Sequence, residues 1–517
     1  MTMNLPNIVP SFGAGGVVAA VVLGILLLKL FSSKPKNLPP GPRGLPIIGH
    51  LHLLGKHPHE DLAKLSATYG SVMSLWFGHK LALVVSSPAA AEEILKTQGH
   101  NFSSRIRTSF GELIVTNDIA FPDDTAERRH LKKILHTQLS TTKQIQLSEN
   151  VRAEEISHVI RVMPQDGKTV VPVKTYVEVM VTNILSRMIL KKRFSAVAGK
   201  AGADQGAELQ EVRNFRVLVE EITACSFHLD PGDFIPIFKL LDIQGFRSRL
   251  RNLRKRMDVF INNIISEHLE QRKSGQTYEK DMVDVLLDQM EDETSRFDIS
   301  EKHINGLVWN SFIGGTEATI DVIEWALSEC IRNPKLMIKV QDELDTVVGK
   351  SRRVEDADIP NLKYLQAMVK EVFRLHLTTP ILLPKVNKTA CKLFGYDIPA
   401  GTTVLVCAGT IARDPSIWDN PLEFRPERFL DGSPHVNTEV QGNHFELLTF
   451  GSGRRGCPGT ALAITMVHIL TATLLHSFDW TLPNGTPPMD LDMSDAPGRV
   501  HRRAKPLNAI LKARLSI

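Results

Sequence analysis

Apolar and charged residues are distributed unevenly at the start of the chain. The first 28 residues carry no charged side chain, and positions 12–28 form an unbroken apolar run. Residues 8–28 match the ~20 apolar residues that a helix needs to cross a bilayer. Lys29, Lys34 and Lys36 follow the run. A secretory signal would have basic residues before its apolar run, and this chain has none there. A buried core helix would need neighbours that an N-terminal run with one charged flank lacks. The pattern therefore predicts a membrane anchor within residues 1–30, with the remainder of the chain cytosolic.

A proline-rich segment follows the apolar run. The stretch LPPGPRGLPIIGH, at positions 38–50, contains four prolines, which forbid a helix and stiffen the backbone. Its apolar end, LPIIGH, indicates that the segment docks onto the body of the protein. We therefore expect residues 31–50 to be a rigid hinge and residues 51–517 to form the catalytic domain.

The next segments predict two strands and then a long helical region. SVMSLWFG and KLALVVSS, at 71–78 and 80–87, alternate as strands joined by a turn, and a helix follows from Pro88. Residues 126–334 have a mostly helical pattern. Towards the C-terminus, KLFGYDIPAGTTVLVCAG, at 392–409, predicts a small hairpin sheet, and the helix at 459–478 is apolar nearly all round and so should be buried. The expected fold is mostly α with a small β-rich lobe.

One predicted helix is unusually long, running from Glu301 to Arg332 and stopping before Pro334. Gly314 and Gly315 lie in its middle, where each costs about 1 kcal/mol relative to alanine. Two adjacent glycines indicate that something flat or close lies against the helix. A simple kink is the alternative explanation.

The composition narrows the possible partners. The 517 residues are 43% apolar and 23% charged, with a net charge of +4, which is ordinary globular usage and does not indicate nucleic-acid binding. The basic run at 247–256 has no interleaved aromatic residues and is typical of a solvated helix face. Five cysteines without a C-x-x-C pair fit a reducing compartment better than a disulfide framework or a zinc site.

The loop FGSGRRGCPG, at 450–459, allows two interpretations. Its GSGRRG portion matches the G-x-G-x-x-G turn that binds dinucleotides, but a lone match is a weak signal and little chain remains for a parallel sheet. Alternatively, the glycines allow a flat cofactor to approach closely, and Cys457 precedes a helix N-terminus that would stabilise a thiolate ligand. On this second interpretation Cys457 binds a metal, and Arg455 forms an ion pair with a carboxylate of the cofactor.

Three motifs resemble those of the cytochrome P450 family and occur along the chain in the family's order. The pattern F-x-x-G-x-R-x-C-x-G is met by the loop, at Phe450, Gly453, Arg455, Cys457 and Gly459. KEVFRLH and PLEFRPERF, at 370–376 and 421–429, resemble the family's E-x-x-R and P-E-R-F motifs. The resemblance implies the mostly α P450 fold, preceded by an N-terminal transmembrane helix.

The same resemblance implies the cofactor and its supports. It implies heme b with Cys457 as its axial thiolate ligand. It also implies a buried cluster of Glu371, Arg374 and Arg428 behind the heme, in which one carboxylate serves two guanidinium groups.

The activity follows from the resemblance as well. It implies a monooxygenase that inserts one oxygen atom from O2 into a small lipophilic substrate of the phenylpropanoid, flavonoid, terpenoid or fatty-acid type. Electrons would come from NADPH through a membrane-bound NADPH–cytochrome P450 reductase. NFSSR, VVGKSRRVEDADIPNLKYL and ARDPSIW are most similar to plant microsomal members, which implies a single-pass endoplasmic-reticulum protein. A dinucleotide-binding dehydrogenase and a non-catalytic heme-binding protein remain the alternatives.

The long helix departs from the family pattern at one position. The family's helix carries an acid and then a threonine that helps to deliver protons to oxygen; here Glu317 is followed by Ala318. Thr319 lies about 100° around the helix and cannot simply replace the missing hydroxyl. We expect proton delivery to use Glu317, Thr316 or water, with Thr319 as a nearby hydroxyl. Otherwise the reaction would be a dehydration, rearrangement, coupling or desaturation.

Cations that would face the heme also differ from the usual pattern. AERRHLKKIL, at 126–135, supplies Arg128 and Lys132 but no tryptophan, and Lys385 stands where arginine is common. Lysine offers a point charge without the planar fork of arginine. The substrate pocket is expected to be formed by residues 109–118, 312–316 and 377–383 and by the turn near Met493.

Overall fold

The computed structural model describes Gly24 and residues 37–515, except residues 195–205 and positions 229, 236, 237, 240, 241, 243 and 276. The predicted membrane anchor at 1–30 therefore lies outside the described residues, apart from Gly24. The predicted hinge is described from residue 37 onward. There the backbone carbonyl of Pro40 accepts a hydrogen bond from Ser74 N (2.8 Å), and His50 Nδ1 accepts one from Trp76 N (2.7 Å). These bonds dock the proline-rich segment onto the first strand.

Helices account for most of the fold, as predicted. Over the described residues they are α1 Pro58–Tyr69, α2 Pro88–Glu92, α3 Ser109–Leu113, α4 Ala126–Leu139, α5 Thr142–Leu147, α6 Glu149–Val162, α7 Val173–Leu190, α8 Gly206–Phe227, α9 Phe246–Lys273, α10 Met282–Glu291, α11 Glu301–Gly315, α12 Glu317–Arg332, α13 Pro334–Val347, α14 Lys363–Leu375, α15 Ala408–Ile411 and α16 Thr460–Ser477.

The strands are short and form three small sheets. They are β1 Val72–Phe77, β2 Lys80–Val85, β3 Ser104–Arg105, β4 Asp166–Pro172, β5 Lys385–Val386, β6 Cys391–Leu393, β7 Tyr396–Ile398, β8 Thr403–Val406, β9 Phe478–Thr481 and β10 Asn508–Ala513. The largest sheet has the order β1-β2-β8-β5-β3, in which only β2 and β8 are parallel, and the others are β4-β10-β9 and the hairpin β6-β7. The predicted hairpin at 392–409 is therefore divided, because β8 joins the largest sheet.

The core lies among α7, α12 and α16. Helix α12 packs against both of the others, and its Trp325 is completely buried. Helix α16 is the one described helix that is long and apolar enough to cross a membrane, yet 72% of it is buried within the fold. It is a core helix, as its all-round apolar pattern predicts.

The prediction of one continuous helix over 301–332 is wrong, because one residue in the middle interrupts the helix. The helix is interrupted at Thr316, with φ −86° and ψ −77°, so that α11 and α12 are separate. The Thr316 hydroxyl donates to the Phe312 carbonyl (2.8 Å), and the Thr319 hydroxyl donates to the Gly315 carbonyl (2.9 Å). Such side-chain bonds compete with the backbone ladder and bend helices, most easily beside glycines.

A buried ion-pair cluster joins α14 to the segment that follows β8. Both carboxylate oxygens of Glu371 accept hydrogen bonds from Arg374 (2.7 and 2.8 Å), and Arg428 Nε donates to one of them (3.2 Å). All three side chains are buried. The remaining donors of Arg374 reach the carbonyls of Ala412 and Pro421 (2.7 and 2.8 Å). One carboxylate thus holds two guanidinium groups that in turn hold distant chain segments together.

We predict that Glu371→Gln lowers the free energy of unfolding by about 3–5 kcal/mol, because it leaves two buried guanidinium groups without a counter-charge. Denaturant unfolding of the purified protein measures this change. Glu439→Gln is the matched control, since Glu439 pairs with Lys370 of the same helix (2.6 Å) but is exposed. It should cost less than about 1 kcal/mol. Equal effects of the two substitutions would contradict the prediction.

Candidate functional site

A cavity of about 360 Å³ lies between the α11–α12 junction and the loop that contains Cys457. Gly314, Gly315, Ala318 and Thr319 form part of the helix wall. A Cβ atom at Gly314 would meet no atom within 4 Å, whereas one at Gly315 would lie 2.9 Å from a methyl group of Leu185. Gly314 therefore keeps the cavity open, and Gly315 allows α7 to pack closely.

The backbone of the cysteine loop is held in one conformation. Cys457 N donates to the Phe450 carbonyl (2.9 Å), and the Phe450 ring packs edge-on against Phe373 with centroids 5.5 Å apart. Gly453 has φ +68°, and a Cβ atom there would lie 2.3 Å from the Leu95 carbonyl oxygen. Glycine at position 453 therefore lets the loop pack closely against the backbone at Leu95, while Phe450 and Cys457 line the cavity.

The Cys457 thiol is exposed to the cavity. The surrounding protein nevertheless shields the thiol from bulk water and so raises its pKa, whereas the Gly459 N–H, the Thr460 side chain and the charge of Lys132 act in the opposite direction. The expected stabilisation of a thiolate at the start of α16 is thus present but outweighed by burial. A metal cation in the cavity would supply the missing positive charge, since a coordinating thiol is deprotonated by the metal itself.

Positive charge is concentrated on one wall of this cavity, which is lined by Arg105, Arg128, Lys132, Lys385 and Arg455. Burial lowers the pKa of Arg105 to about 9 and that of Arg455 to about 10. The pKa of Lys385 is lowered well below its ordinary value by burial and by the other four cations. In the described part of the chain Lys385 has no ion-pair partner. The wall therefore favours an anionic ligand.

The predicted cations differ in how their donors are used. Arg455 donates to the carbonyls of Ser103 (2.7 Å), Ile119 (3.2 Å) and Pro122, so most of its guanidinium is already bound by the protein. Arg128 pairs with Asp124 (2.6 Å).

Other donors on this wall are free or directed at the loop. Lys132 donates to the Gly456 carbonyl (2.8 Å) and so holds the cysteine loop. The Nε atom of Arg128 is buried without a hydrogen-bond partner. Arg128 and Lys385 thus have more capacity for a cofactor carboxylate than Arg455 does. Sequence reasoning missed Arg105, although it is the arginine of the NFSSR segment.

These features fit a heme group. Gly314 leaves room on the helix side of the cavity, and the Cys457 thiol lies on the loop side, so a flat ring with a sulfur ligand would fit between them. The uncompensated cations and the unpartnered Arg128 Nε suit two carboxylates at the ring edge.

Only part of the segment expected to deliver protons faces the cavity. Ala318 and Thr319 line the cavity, whereas Thr316 and Glu317 do not. Thr316 is buried with its hydroxyl bonded to Phe312, and Glu317 lies 4.0 Å from Lys174 on the side of α7. No hydroxyl stands at position 318 itself.

The expected substrate walls are partly where the sequence placed them. Gly314 and Gly315 come from 312–316, and Thr378, Thr379, Leu382 and Leu383 come from 377–383. The expected segment 109–118 ends just before the lining residues Ile119 and Ala120, and Met493 does not line the cavity.

The dinucleotide interpretation of the loop does not fit the topology. After the loop and α16, the remaining strands β9 and β10 pair antiparallel with each other, and β10 pairs antiparallel with β4. A dinucleotide-binding turn needs parallel strands on both sides of its helix. Within the described residues that arrangement is absent around this loop.

Comparison with known proteins agrees with this geometry. The Cytochrome P450 family model matches residues 39–508. A flavonoid 3'-monooxygenase of Petunia hybrida is 38% identical, with 95% of each chain covered, and one of Arabidopsis thaliana is 37% identical, with 97% of each covered. A flavonoid 3',5'-hydroxylase of Campanula medium is 35% identical over 96% of this chain and 97% of its own. The chain therefore belongs to the cytochrome P450 family of heme-thiolate monooxygenases.

Proposed function

We propose that this chain hydroxylates a flavonoid-type aromatic substrate at the cytosolic face of the endoplasmic-reticulum membrane. Its electrons would come from NADPH through a membrane-bound NADPH–cytochrome P450 reductase. The observation that carries the substrate class is the similarity along nearly the whole chain to relatives named as flavonoid hydroxylases. Phenylpropanoid, terpenoid and fatty-acid substrates are less favoured, because none of the similar proteins given above is named for them.

The cavity supports an aromatic, lipophilic substrate. Much of its lining is apolar, as at Leu185, Val322 and Leu382, with polar groups such as Asn310 and Ser311 between them. Apolar walls with a small number of placed polar groups are typical of small-molecule sites. Such walls would limit the access of water and hold a flat substrate between the helix and a heme bound on the Cys457 side.

The roles proposed for individual residues follow from their positions. Cys457 would ligate the heme iron, and Arg128, Lys132 and Lys385 would neutralise the heme carboxylates, with Arg105 and Arg455 adding to the positive field. When bound, the heme supplies the oxygen-activating chemistry, for which a thiolate ligand favours O–O cleavage. The protein holds the ring, orients the substrate and limits access of water.

A product assay tests the proposed function. Microsomes that contain this protein and the reductase are incubated with NADPH and separately with a flavanone, a monoterpene alcohol and a fatty acid. We expect the flavanone product to gain the mass of one oxygen atom. Oxidation of the terpenoid or the fatty acid but not of the flavanone would contradict the substrate class. A flavanone product without added oxygen would instead indicate a dehydration, rearrangement or coupling.

We predict that Cys457→Ser abolishes the long-wavelength Soret band that the reduced carbon monoxide complex of a heme thiolate shows. Serine places a neutral hydroxyl where the thiolate sulfur is required. Difference spectroscopy of the purified protein measures the band. Cys391→Ser is the control, because Cys391 lies on the β6–β7 hairpin away from the cavity, and it should keep the band. A thiolate spectrum in Cys457→Ser would disprove the ligand assignment.

We predict that residues 8–28 anchor the protein in the membrane and that the catalytic domain faces the cytosol. Protease added to intact microsomes should digest the domain, and alkaline carbonate should not release the full chain. A variant that lacks residues 1–30 should be released more readily. Protection of the domain from protease in intact microsomes would contradict the orientation.

We predict that Ala318→Thr lowers the hydrogen peroxide released per NADPH consumed when the substrate has no hydroxyl of its own. The hydroxyls of Thr316 and Thr319 already donate to backbone carbonyls, so a new hydroxyl at the cavity wall adds a proton donor where none exists. Peroxide and NADPH are measured together with unsubstituted flavanone as substrate.

Val322→Thr is the matched control for this substitution. Val322 lies one turn further along α12 than Ala318 and also lines the cavity. The substitution therefore introduces the same hydroxyl one helical turn away. Its peroxide yield should stay at the level of the unmodified protein. Tight coupling in the unmodified protein, unchanged or worsened by Ala318→Thr, would show that Glu317, Thr316 and water already suffice.

A further inference from the structure

One polar pair interrupts the apolar part of the cavity wall. Asn310, on α11, lines the cavity and is half-buried, and its amide nitrogen donates to Asp118 Oδ2 (2.8 Å). Asp118 is 1% exposed, so its carboxylate lies behind Asn310 rather than in the cavity. The sequence placed Asp118 only within the expected pocket segment 109–118 and assigned Asn310 no role.

The contact between these residues is fixed by the packing of the preceding chain on α11. Gly306 lies one turn before Asn310, and a Cβ atom there would lie 2.4 Å from the Asn117 carbonyl oxygen. The Asn117 amide also contacts His303 (Nδ2 to Nε2, 3.4 Å). Positions 303, 306 and 310 share one helix face, so this face sets the register that brings Asp118 to Asn310.

Asp118 is itself held by the backbone. Its Oδ1 atom accepts hydrogen bonds from the N–H groups of Ala120 and Phe121, each at 3.1 Å. Burial raises the pKa of Asp118 to about 7, although these bonds, the Asn310 amide and the charge of Arg105 act in the opposite direction. Above that pH the carboxylate is ionised and can only accept hydrogen bonds.

An ionised Asp118 determines which way the Asn310 amide points. The amide nitrogen must face the carboxylate, which leaves the carbonyl oxygen Oδ1 for the other side. Within the described residues no group donates to this oxygen. Two neighbouring hydroxyls on the cavity wall have their protons engaged elsewhere, since Ser311 donates to the Leu307 carbonyl (2.7 Å) and Thr319 to that of Gly315. Asn310 thus offers the cavity an oriented acceptor.

We propose that Asn310, with its amide oriented by Asp118, accepts a hydrogen bond from a hydroxyl group of the aromatic substrate and so determines which molecules bind and in which orientation. This inference rests on the proposed function for its substrate class. Asp118 acts as a positioning residue, because it touches Asn310 and not the cavity. A site built to pair a substrate hydroxyl rejects analogues without it, since the oriented acceptor is then left unpaired.

A purely structural role would have a different consequence. If the pair only fastened the chain around Asp118 to α11, its loss would weaken binding of every ligand by a similar factor. The proposed role changes the ratio between ligands that differ in one hydroxyl. The test therefore measures ratios of dissociation constants rather than single affinities.

The experiment uses the heme-loaded protein at about pH 8, where Asp118 is ionised. Dissociation constants for 4-phenylphenol, biphenyl and 4-methoxybiphenyl are obtained from the heme spectral shift. In Asn310→Leu we expect the ratio of the biphenyl constant to the 4-phenylphenol constant to fall by about five- to tenfold, the worth of one hydrogen bond. Asn310→Ala serves the same purpose should leucine disturb folding. Ser311→Ala, the matched control, should leave the ratio unchanged.

Asp118→Asn tests the positioning role. The new amide nitrogen can donate to Asn310, so the Asn310 amide is expected to reverse and present its own N–H groups to the cavity. Preference should then shift from 4-phenylphenol, which can donate, towards 4-methoxybiphenyl, which can only accept. A structural role predicts no such shift. An unchanged phenol-to-ether ratio in Asp118→Asn would overturn the assignment of Asp118.

The flavanones naringenin and pinocembrin, which differ by one phenolic hydroxyl, separate this inference from the proposed function. If neither is oxidised but the biphenyl ratio depends on Asn310, the substrate class fails and the hydroxyl acceptor stands. If both are oxidised and the ratio is the same in Asn310→Leu, the inference is overturned and the proposed function stands. If the ratios of dissociation constants are the same in the wild type and in Asn310→Leu for every probe, the inference is likewise overturned.

Discussion

Uncompensated positive charge on the cavity wall is the constraint on which the rest of the site depends. Arg105, Lys385 and Arg455 all line this wall, and burial together with repulsion from neighbouring cations lowers the pKa of each. Protein carbonyls satisfy much of the hydrogen bonding of the two arginines, but carbonyls carry no net charge. An anionic ligand would reduce this repulsion, so a cofactor that brings carboxylates to this wall would stabilise the structure. Binding of such a cofactor would then add to the stability of this region.

The second buried charge cluster contrasts with the first. Glu371 neutralises part of the charge of Arg374 and Arg428, and carbonyls complete their hydrogen bonding. This cluster is complete in the protein chain alone and holds α14 against distant segments. The Glu371 cluster is thus satisfied within the protein and maintains the fold. The cations on the cavity wall lack such a partner and form the site where a ligand would bind.

The helix wall combines access and selection. Gly314 leaves room beside the cavity, and Asn310, one turn before it, faces the cavity with its amide bonded to Asp118. Glu317, just after the interruption at Thr316, does not line the cavity. Every one of these features lies within about three turns of α-helix. Small residues and side-chain hydrogen bonds, rather than large movements, decide which atoms of this wall a substrate meets.

The sequence by itself determined the family, the cysteine that faces the cavity and the order of the main elements. These follow from local signals: glycine spacing around Cys457, periodic apolar positions, and charged pairs such as Glu371 and Arg374 that lie three residues apart on a helix. The division of the hairpin at 392–409 was not local, because β8 pairs with β2 more than 300 residues away. The same holds for Arg105, which only the sheet brings beside Arg455, and for Asp118, which reaches Asn310 because Gly306 lets Asn117 approach. Such contacts join residues far apart in the chain, and packing alone decides them.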